Sequence, residues 1–183
     1  MRRAREPRGV LPRDSPVSVG GQDEVAAVYE RGTARLVAVL CAIGAPRADA
    51  EEVVQDAFVK LLGRWDRVRD YEDPEAWVRG VAVRMLVSRH RRRVVAERGL
   101  RRLAAQTADV PALSPDSVAV ALALRSLTPG HRAVVVLHHV LDLPVEQVAR
   151  ELDLPVGTVK SRLSRARSAL APYLTEEEVP DRA

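Results

Sequence analysis

Residues 145–170 read VEQVARELDLPVGTVKSRLSRARSAL, and this stretch decides the fold. Its first part places Val145, Val148, Ala149 and Leu152 on one helical face. Asp-Leu-Pro at 153–155 then breaks the pattern, and Asp153 falls where the chain asks for a positive φ, which Asp tolerates better than most residues. In the second part Val159, Leu163, Ala166 and Leu170 recur at i, i+4, i+7 and i+11, a buried stripe. The opposite face carries Thr158, Lys160, Ser161, Arg162, Ser164, Arg165 and, further on, Arg167, with no acid among them. Two short helices, a three-residue break and a small Ala149 at the crossing predict a helix–turn–helix. Such a motif sets the start of its second helix in the major groove, where Arg and Lys meet phosphate or guanine and Ser and Thr pack close.

Working outward, the whole chain is helical in pattern. Amphipathic spacing begins near Asp23, with Val25, Val28, Leu36, Val39 and Leu40 on one side and Gly32 as a weak point. Gly and Pro at 44–46 punctuate it. A second helix over 49–65 carries Val53, Val54, Ala57, Phe58, Leu61 and Leu62 on one stripe. A polar connection, 66–73, leads to Pro74, which suits a first helical turn because its missing N–H has no partner there anyway. The third helix, 74–93, turns Trp77, Val78, Val81, Ala82, Met85 and Leu86 inward. Residues 104–116 form a Pro-containing linker of low periodicity. Thr128 followed by Pro129 then reads as an N-cap and first turn of a later helix. The expected fold class is all-α, two small helical domains joined by a flexible linker. The expected boundaries are a disordered basic arm at 1–22, a first domain at 23–100, a linker at 101–116, a helix–turn–helix domain at 117–175 and an acidic tail at 176–183.

Charge is segregated. Net charge is only +4, yet between Arg79 and Arg102 nine arginines stand against Glu97 alone. Asp49, Glu51, Glu52 and Asp56 form an acidic cluster on the second helix. Such a chain meets a polyanion with one face and a basic protein surface with another. Acids beside a DNA-binding stretch would be repelled by phosphate, so they are expected to face protein. Part of the cluster, Asp49 and Glu51 above all, also fits a solvated helix start favoured by the macrodipole.

Several classes fall away. No apolar run reaches the roughly 18 residues of a membrane span, and the N-terminal stretch lacks the apolar core of a signal peptide; the expected compartment is the cytoplasm, with no membrane insertion. The single cysteine, Cys41, rules out an internal disulfide and a cysteine-rich zinc site, and its apolar neighbours suggest a buried thiol. His90, His131, His138 and His139 lack the spacing of a zinc helix, and no Gly-rich phosphate loop or nucleophile motif is present. No catalysis, cofactor or metal is expected.

The stretch LTPGHRAVVVLHHVLDLPVEQVARELDLPVGTVKSRLSRARSAL, residues 127–170, resembles region four of sigma-70-type transcription initiation factors. Residues 49–65 together with 74–93 resemble region two. With only a linker between them, the order resembles the extracytoplasmic-function (ECF) subgroup, in an arginine-rich, actinobacterial-like form. The resemblance implies a factor that binds core RNA polymerase, directs it to promoters and assists melting. It implies that Thr158, Lys160, Ser161, Arg162, Ser164 and Arg165 read the minus-thirty-five element. It places Trp77, Arg79, Arg84, Arg89 and Arg91 at the minus-ten strand, with the 66–73 loop as the pocket for an extruded base; Trp77 fits core packing equally well. Arg84 and Ser88 stand where many members carry Asn and Asp. Glu52, Gln55 and Asp56, supported by Phe58 and Leu62, match the face that docks on the β′ coiled-coil, and region four matches a unit that sits near the β flap. Core polymerase and promoter DNA are thus the implied partners, and an anti-sigma factor is a further candidate. The competing reading is a stand-alone helix–turn–helix regulator, which leaves the acidic second helix and the arginine-rich third helix without a role.

Overall fold

The structure is a computed structural model and describes residues 19–99 and 123–174. The expected linker and acidic tail, and most of the expected arm, lie outside the described residues. So does the start of the domain expected at 117–175. Among the described residues every regular element is helical.

Helix α1 (Val19–Ile43) runs straight through Gly32. It stops in a Schellman turn: Gly44 takes φ 106°, its N–H donates to the Cys41 carbonyl at 2.8 Å, and the Ala45 N–H donates to the Leu40 carbonyl at 3.0 Å. Helix α2 (Arg47–Leu62) buries Ala50, Val53, Val54, Ala57, Phe58 and Leu61. Its Phe58 ring stacks edge-on against Tyr29 of α1, with centroids 4.9 Å apart. The segment read as a polar connection begins as one helical turn, α3 (Trp65–Val68). Trp65 and Val68 are buried there, and the Trp65 indole N–H donates to Glu24 of α1 at 2.7 Å. The helix expected to reach 65 ends at Leu62 and Trp65 opens α3 instead; Val68, alone in a charged segment, shows no periodicity, and tertiary burial makes the turn.

Helix α4 (Pro74–Gly99) starts where Pro74 predicts, with the Asp73 carboxylate accepting the Ala76 N–H at 2.9 Å. Described residues resume at 123. Helix α5 (Pro129–Val135) opens on Thr128, whose side chain accepts the His131 N–H, and passes into a π-helical turn (Val136–Val140). Asp142 follows at φ 52°. Helices α6 (Val145–Leu152) and α7 (Val156–Leu174) flank Asp153 at φ 54°, the left-handed position read from the sequence.

The two units are packed on one another. A single apolar cluster runs from Val25 of α1 to Val159 of α7. Helix α4 lies at its centre, against α1 and α2 on one side and α5 and α6 on the other. This explains why Val83 and Gly80 are buried although they lie off the stripe that the sequence marks as inward. Each fully buried Val or Leu contributes about 1.5–3 kcal/mol, and Val78, Val83, Val134, Val136 and Val148 are all in that state. Cys41 is half-buried, not enclosed: it borders a groove between α1 and α2, and burial still pushes its thiol pKa up.

Candidate nucleic-acid interface

The helix–turn–helix forms as its pattern demands. Val159 and Ala166 of α7 are buried and Leu163 and Leu170 half-buried, which turns the other face outward. Lys160, Ser161, Ser164 and Arg165 are exposed, while Thr158 and Arg162 are half-buried. The Ser161 hydroxyl donates to the Thr158 carbonyl at 3.0 Å, inside the helix, and is free to turn to a ligand at little cost. His131 of α5 lies near this face; burial, then the charges of Arg162 and Arg165, hold its pKa below the ordinary imidazole value. The surface is therefore strongly cationic.

The arginines of α4 divide into three settings. Arg79 is nearly buried and paired with Glu151 of α6. Arg84 is half-buried, donates to the backbone carbonyl of Glu151, and is pushed to a lower pKa by desolvation. Arg89 reaches back to α2, at 2.5 Å from Asp56 and 3.1 Å from Glu52. Arg91 is exposed and, with Arg84 and Arg162, borders a cleft between the two units. Trp77 is half-buried. It packs on the core and also lines a wider cleft of about 900 Å³ with Tyr71, Glu72, Asp73 and Arg150. Core packing, expected of Trp77, is present, and Tyr71 to Asp73, the end of the 66–73 segment, border the same cleft.

The acidic helix is braced. Asp56 and Glu52 hold Arg89, Asp49 holds Arg93 at 3.2 Å, and Glu51 holds Arg47 one turn away. All are surface pairs of the kind worth about 0.2–1 kcal/mol, so they can be exchanged for another partner. Phe58 is core and supports α2 from beneath. Outward, Glu52, Gln55, Val59 and Leu62 fall on one face, and Val59 is 66% and Leu62 36% exposed. Val59 was missed in the sequence because it lies off the apolar stripe that runs through Phe58, where a lone apolar residue shows no periodicity. Glu151, Gly80 and Arg132 were missed for another reason: they act between units that the sequence reads as tethered apart. Among the described residues no group of three or more His, Cys, Asp or Glu could hold a metal ion, and no helix is long and apolar enough to cross a membrane.

Residues 28–94 match the family described as Sigma-70 region 2, and residues 117–170 match Sigma-70, region 4. An RNA polymerase sigma-E factor of Streptomyces avermitilis is 32% identical over 136 residues, 74% of this chain and 76% of that protein. The ECF RNA polymerase sigma factor SigL of Mycobacterium tuberculosis is 32% identical over 160 residues, 84% of this chain and 86% of its own. The chain belongs to the ECF group of sigma-70 factors. Two solved structures share the fold of this sigma factor. CnrH in complex with the cytosolic domain of CnrY has a TM-score of 0.57 at 27% identity, over 84% of this chain and 88% of that one. The sigma factor RpoE, solved with the anti-sigma factor NepR from Bartonella quintana, has a TM-score of 0.64 at 24% identity, over 85% and 97%. As a sigma factor the chain directs RNA polymerase in transcription initiation. The stand-alone regulator is not favoured, because the region-two match covers the half that reading leaves idle.

Proposed function

We propose that the chain works in the cytoplasm without chemistry of its own, converting binding energy into promoter opening through three separate faces. The exposed face of α7, with Thr158, Lys160, Ser161, Arg162, Ser164 and Arg165, reads the upstream element. The α4 residues Trp77, Arg79, Arg84 and Arg91 grip the melted strand, with the cleft beside Tyr71 taking an extruded base; unstacking costs a few kcal/mol that those contacts offset. The outer face of α2, Glu52, Gln55, Asp56, Val59 and Leu62, docks on the β′ coiled-coil of core polymerase, and the region-four unit sits near the β flap. An anti-sigma factor is a further partner in this reading.

The observation that carries it is the division of exposed faces: acids beside apolar Val59 and Leu62 on α2, and cations with no acid between them on α7. The first chemistry suits a protein surface and the second suits DNA. Run-off transcription tests it, with core RNA polymerase from a GC-rich bacterium and the DNA upstream of the chain's own gene. A discrete transcript that depends on this protein is expected. No transcript, together with no co-elution with core polymerase, overturns it.

A further inference from the structure

Arginines from both units meet in one cleft, and a melted strand on α4 with a duplex on α7 does not explain why they face one another. Arg84, Val87, Ser88 and Arg91 stand at i, i+3, i+4 and i+7, so they form one face of α4. Arg162 of α7 borders the same cleft from the other unit, its guanidinium laid against Gly130 of α5. Ala133, Leu152 and Leu154 complete the lining, and the space is about 210 Å³. No acid is among the residues that line it. Asp153 and Glu151, the acids that act on Arg84, stand outside the lining. Arg84 gives one N–H to the Glu151 carbonyl and keeps others of its five donors. Among the described residues, neither Arg91 nor Arg162 has a carboxylate within ion-pair distance.

Guanidinium groups stay charged at every accessible pH, so three of them around a half-open cleft repel one another. An anion placed among them removes that repulsion and takes charge-assisted, two-pronged hydrogen bonds. We propose that the cleft is a binding site for a diphosphate anion, held by Arg84 and Arg91 of α4 and Arg162 of α7, with the Ser88 hydroxyl as a further donor. Two phosphate groups match the lining better than one, because the cations come from two walls. The volume is below the roughly 300–1,000 Å³ of pockets that enclose a whole drug-sized ligand. The cleft therefore takes the phosphate groups alone, and a nucleoside attached to them lies outside. A bound diphosphate ties α4 to α7 and holds Arg162 away from duplex. Binding itself does not depend on the DNA roles given to these arginines, so the titration below and the run-off assay fail separately.

Isothermal titration of the full chain tests it, with inorganic pyrophosphate, orthophosphate and ADP as probes at fixed ionic strength. Arg91→Gln and Arg162→Gln remove one cation from each wall; both side chains reach solvent, so the fold is kept. Arg92→Gln and Arg167→Gln remove the same charge from exposed positions on α4 and α7 outside the cleft. Ser88→Phe fills the cleft from an exposed position without changing its charge. Pyrophosphate is expected to bind about tenfold more tightly than orthophosphate, and each arginine variant of the cleft to weaken it about tenfold, since a hydrogen bond to a charged group is worth that much or more. The two outer variants should change affinity less than about twofold, because salt screens exposed charges at a distance. Ser88→Phe should abolish binding. ADP binding with an affinity near that of pyrophosphate assigns the site to the end of a nucleotide; pyrophosphate binding alone assigns it to the free anion, and both outcomes support the proposal. Equal affinity for orthophosphate, or equal losses in the outer variants, overturns it in favour of an unspecific cationic surface. A loss in Arg91→Gln with none in Arg162→Gln overturns the shared site and leaves a phosphate contact on α4 alone. No binding at millimolar pyrophosphate overturns the proposal outright.

Discussion

Arg79 and Glu151 are 72 residues apart in sequence and joined by two parallel hydrogen bonds at the junction of the two units. Removing one partner of a buried pair leaves the other charge unsatisfied, at a cost of several kcal/mol where no water can reach it. Arg79 keeps 15% of its side chain exposed, so partial hydration limits the loss. Glu151→Ala is expected to lower stability by about 2 kcal/mol in urea unfolding. Arg79→Met combined with Glu151→Leu should lose less than Glu151→Ala, because neither charge is stranded. Stability unchanged in Glu151→Ala would mean that the pair does not form in solution.

Asp153 holds φ 54° between α6 and α7, and its charge opposes the desolvation that lowers the pKa of Arg84. A β-branched residue there meets the left-handed penalty of about 1–2 kcal/mol. Asp153→Val should therefore destabilise by that amount, whereas Asp153→Asn, which tolerates the conformation, should keep the fold. Thermal unfolding of the two variants decides it. Equal losses would assign the effect to the charge toward Arg84 and not to the backbone.

Acid should weaken the protein through its histidines. Burial and then neighbouring cations lower the pKa of His131, and burial, His138 and Arg167 lower that of His139. The unfolded chain takes up protons near the ordinary value of about 6.5, before the folded chain does. Stability contributed by the neutral rings is complete above that pH and declines as pH falls through it toward the lower folded values. Unfolding free energy should thus drop between about pH 7 and pH 5.5, and His131→Gln should flatten the slope. An equal slope in the variant would place the titration elsewhere.

What could be read from residues alone was what local chemistry writes locally. Val159, Leu163, Ala166 and Leu170 repeat at helical spacing, so α7 and its outward cationic face follow directly. Asp153 and the Thr128–Pro129 pair announce a turn and a cap, and both form. The interface between the units left almost no trace. Glu151 looks like any solvated acid at a helix end until α4 is brought against it, and Gly80 looks like a weak point in a helix until something needs its missing Cβ. Arg89 was equally mute: its pattern suits DNA, but its place one layer from α2 gives it Asp56 and Glu52. Burial on two sides, as at Val83, cannot show in a one-sided stripe.

Val59 offers a cleaner probe of the α2 face than its acids do, since changing Asp56 also releases Arg89. Val59 is two-thirds exposed, so Val59→Glu should leave stability within about 0.5 kcal/mol. Placed in an interface core, the same change strands a charge and should weaken binding to core polymerase about tenfold or more. Co-elution and titration with core polymerase read the second effect, and thermal unfolding the first. Normal core affinity would move the docking face off α2.

Arg165 is exposed on α7 and, among the described residues, has no acidic partner within ion-pair distance. Two contacts are open to it on duplex DNA, and they differ in what they do to specificity. A base-edge contact discriminates by about 1–3 kcal/mol, while a phosphate contact weakens all sequences alike and lowers the salt slope by about one. Its position one turn beyond Ser161, on the face that carries Lys160 and Arg162, favours the groove. Arg165→Ala is expected to reduce preference for promoter over scrambled duplex about tenfold, and Arg165→Lys to restore little of it, because lysine lacks the two-pronged fork. The full chain suffices for the measurement, since this face is exposed with the units together. A uniform loss across sequences with a smaller salt slope would instead set Arg165 on the backbone and move base reading toward the start of α7, to Thr158, Lys160 and Ser161.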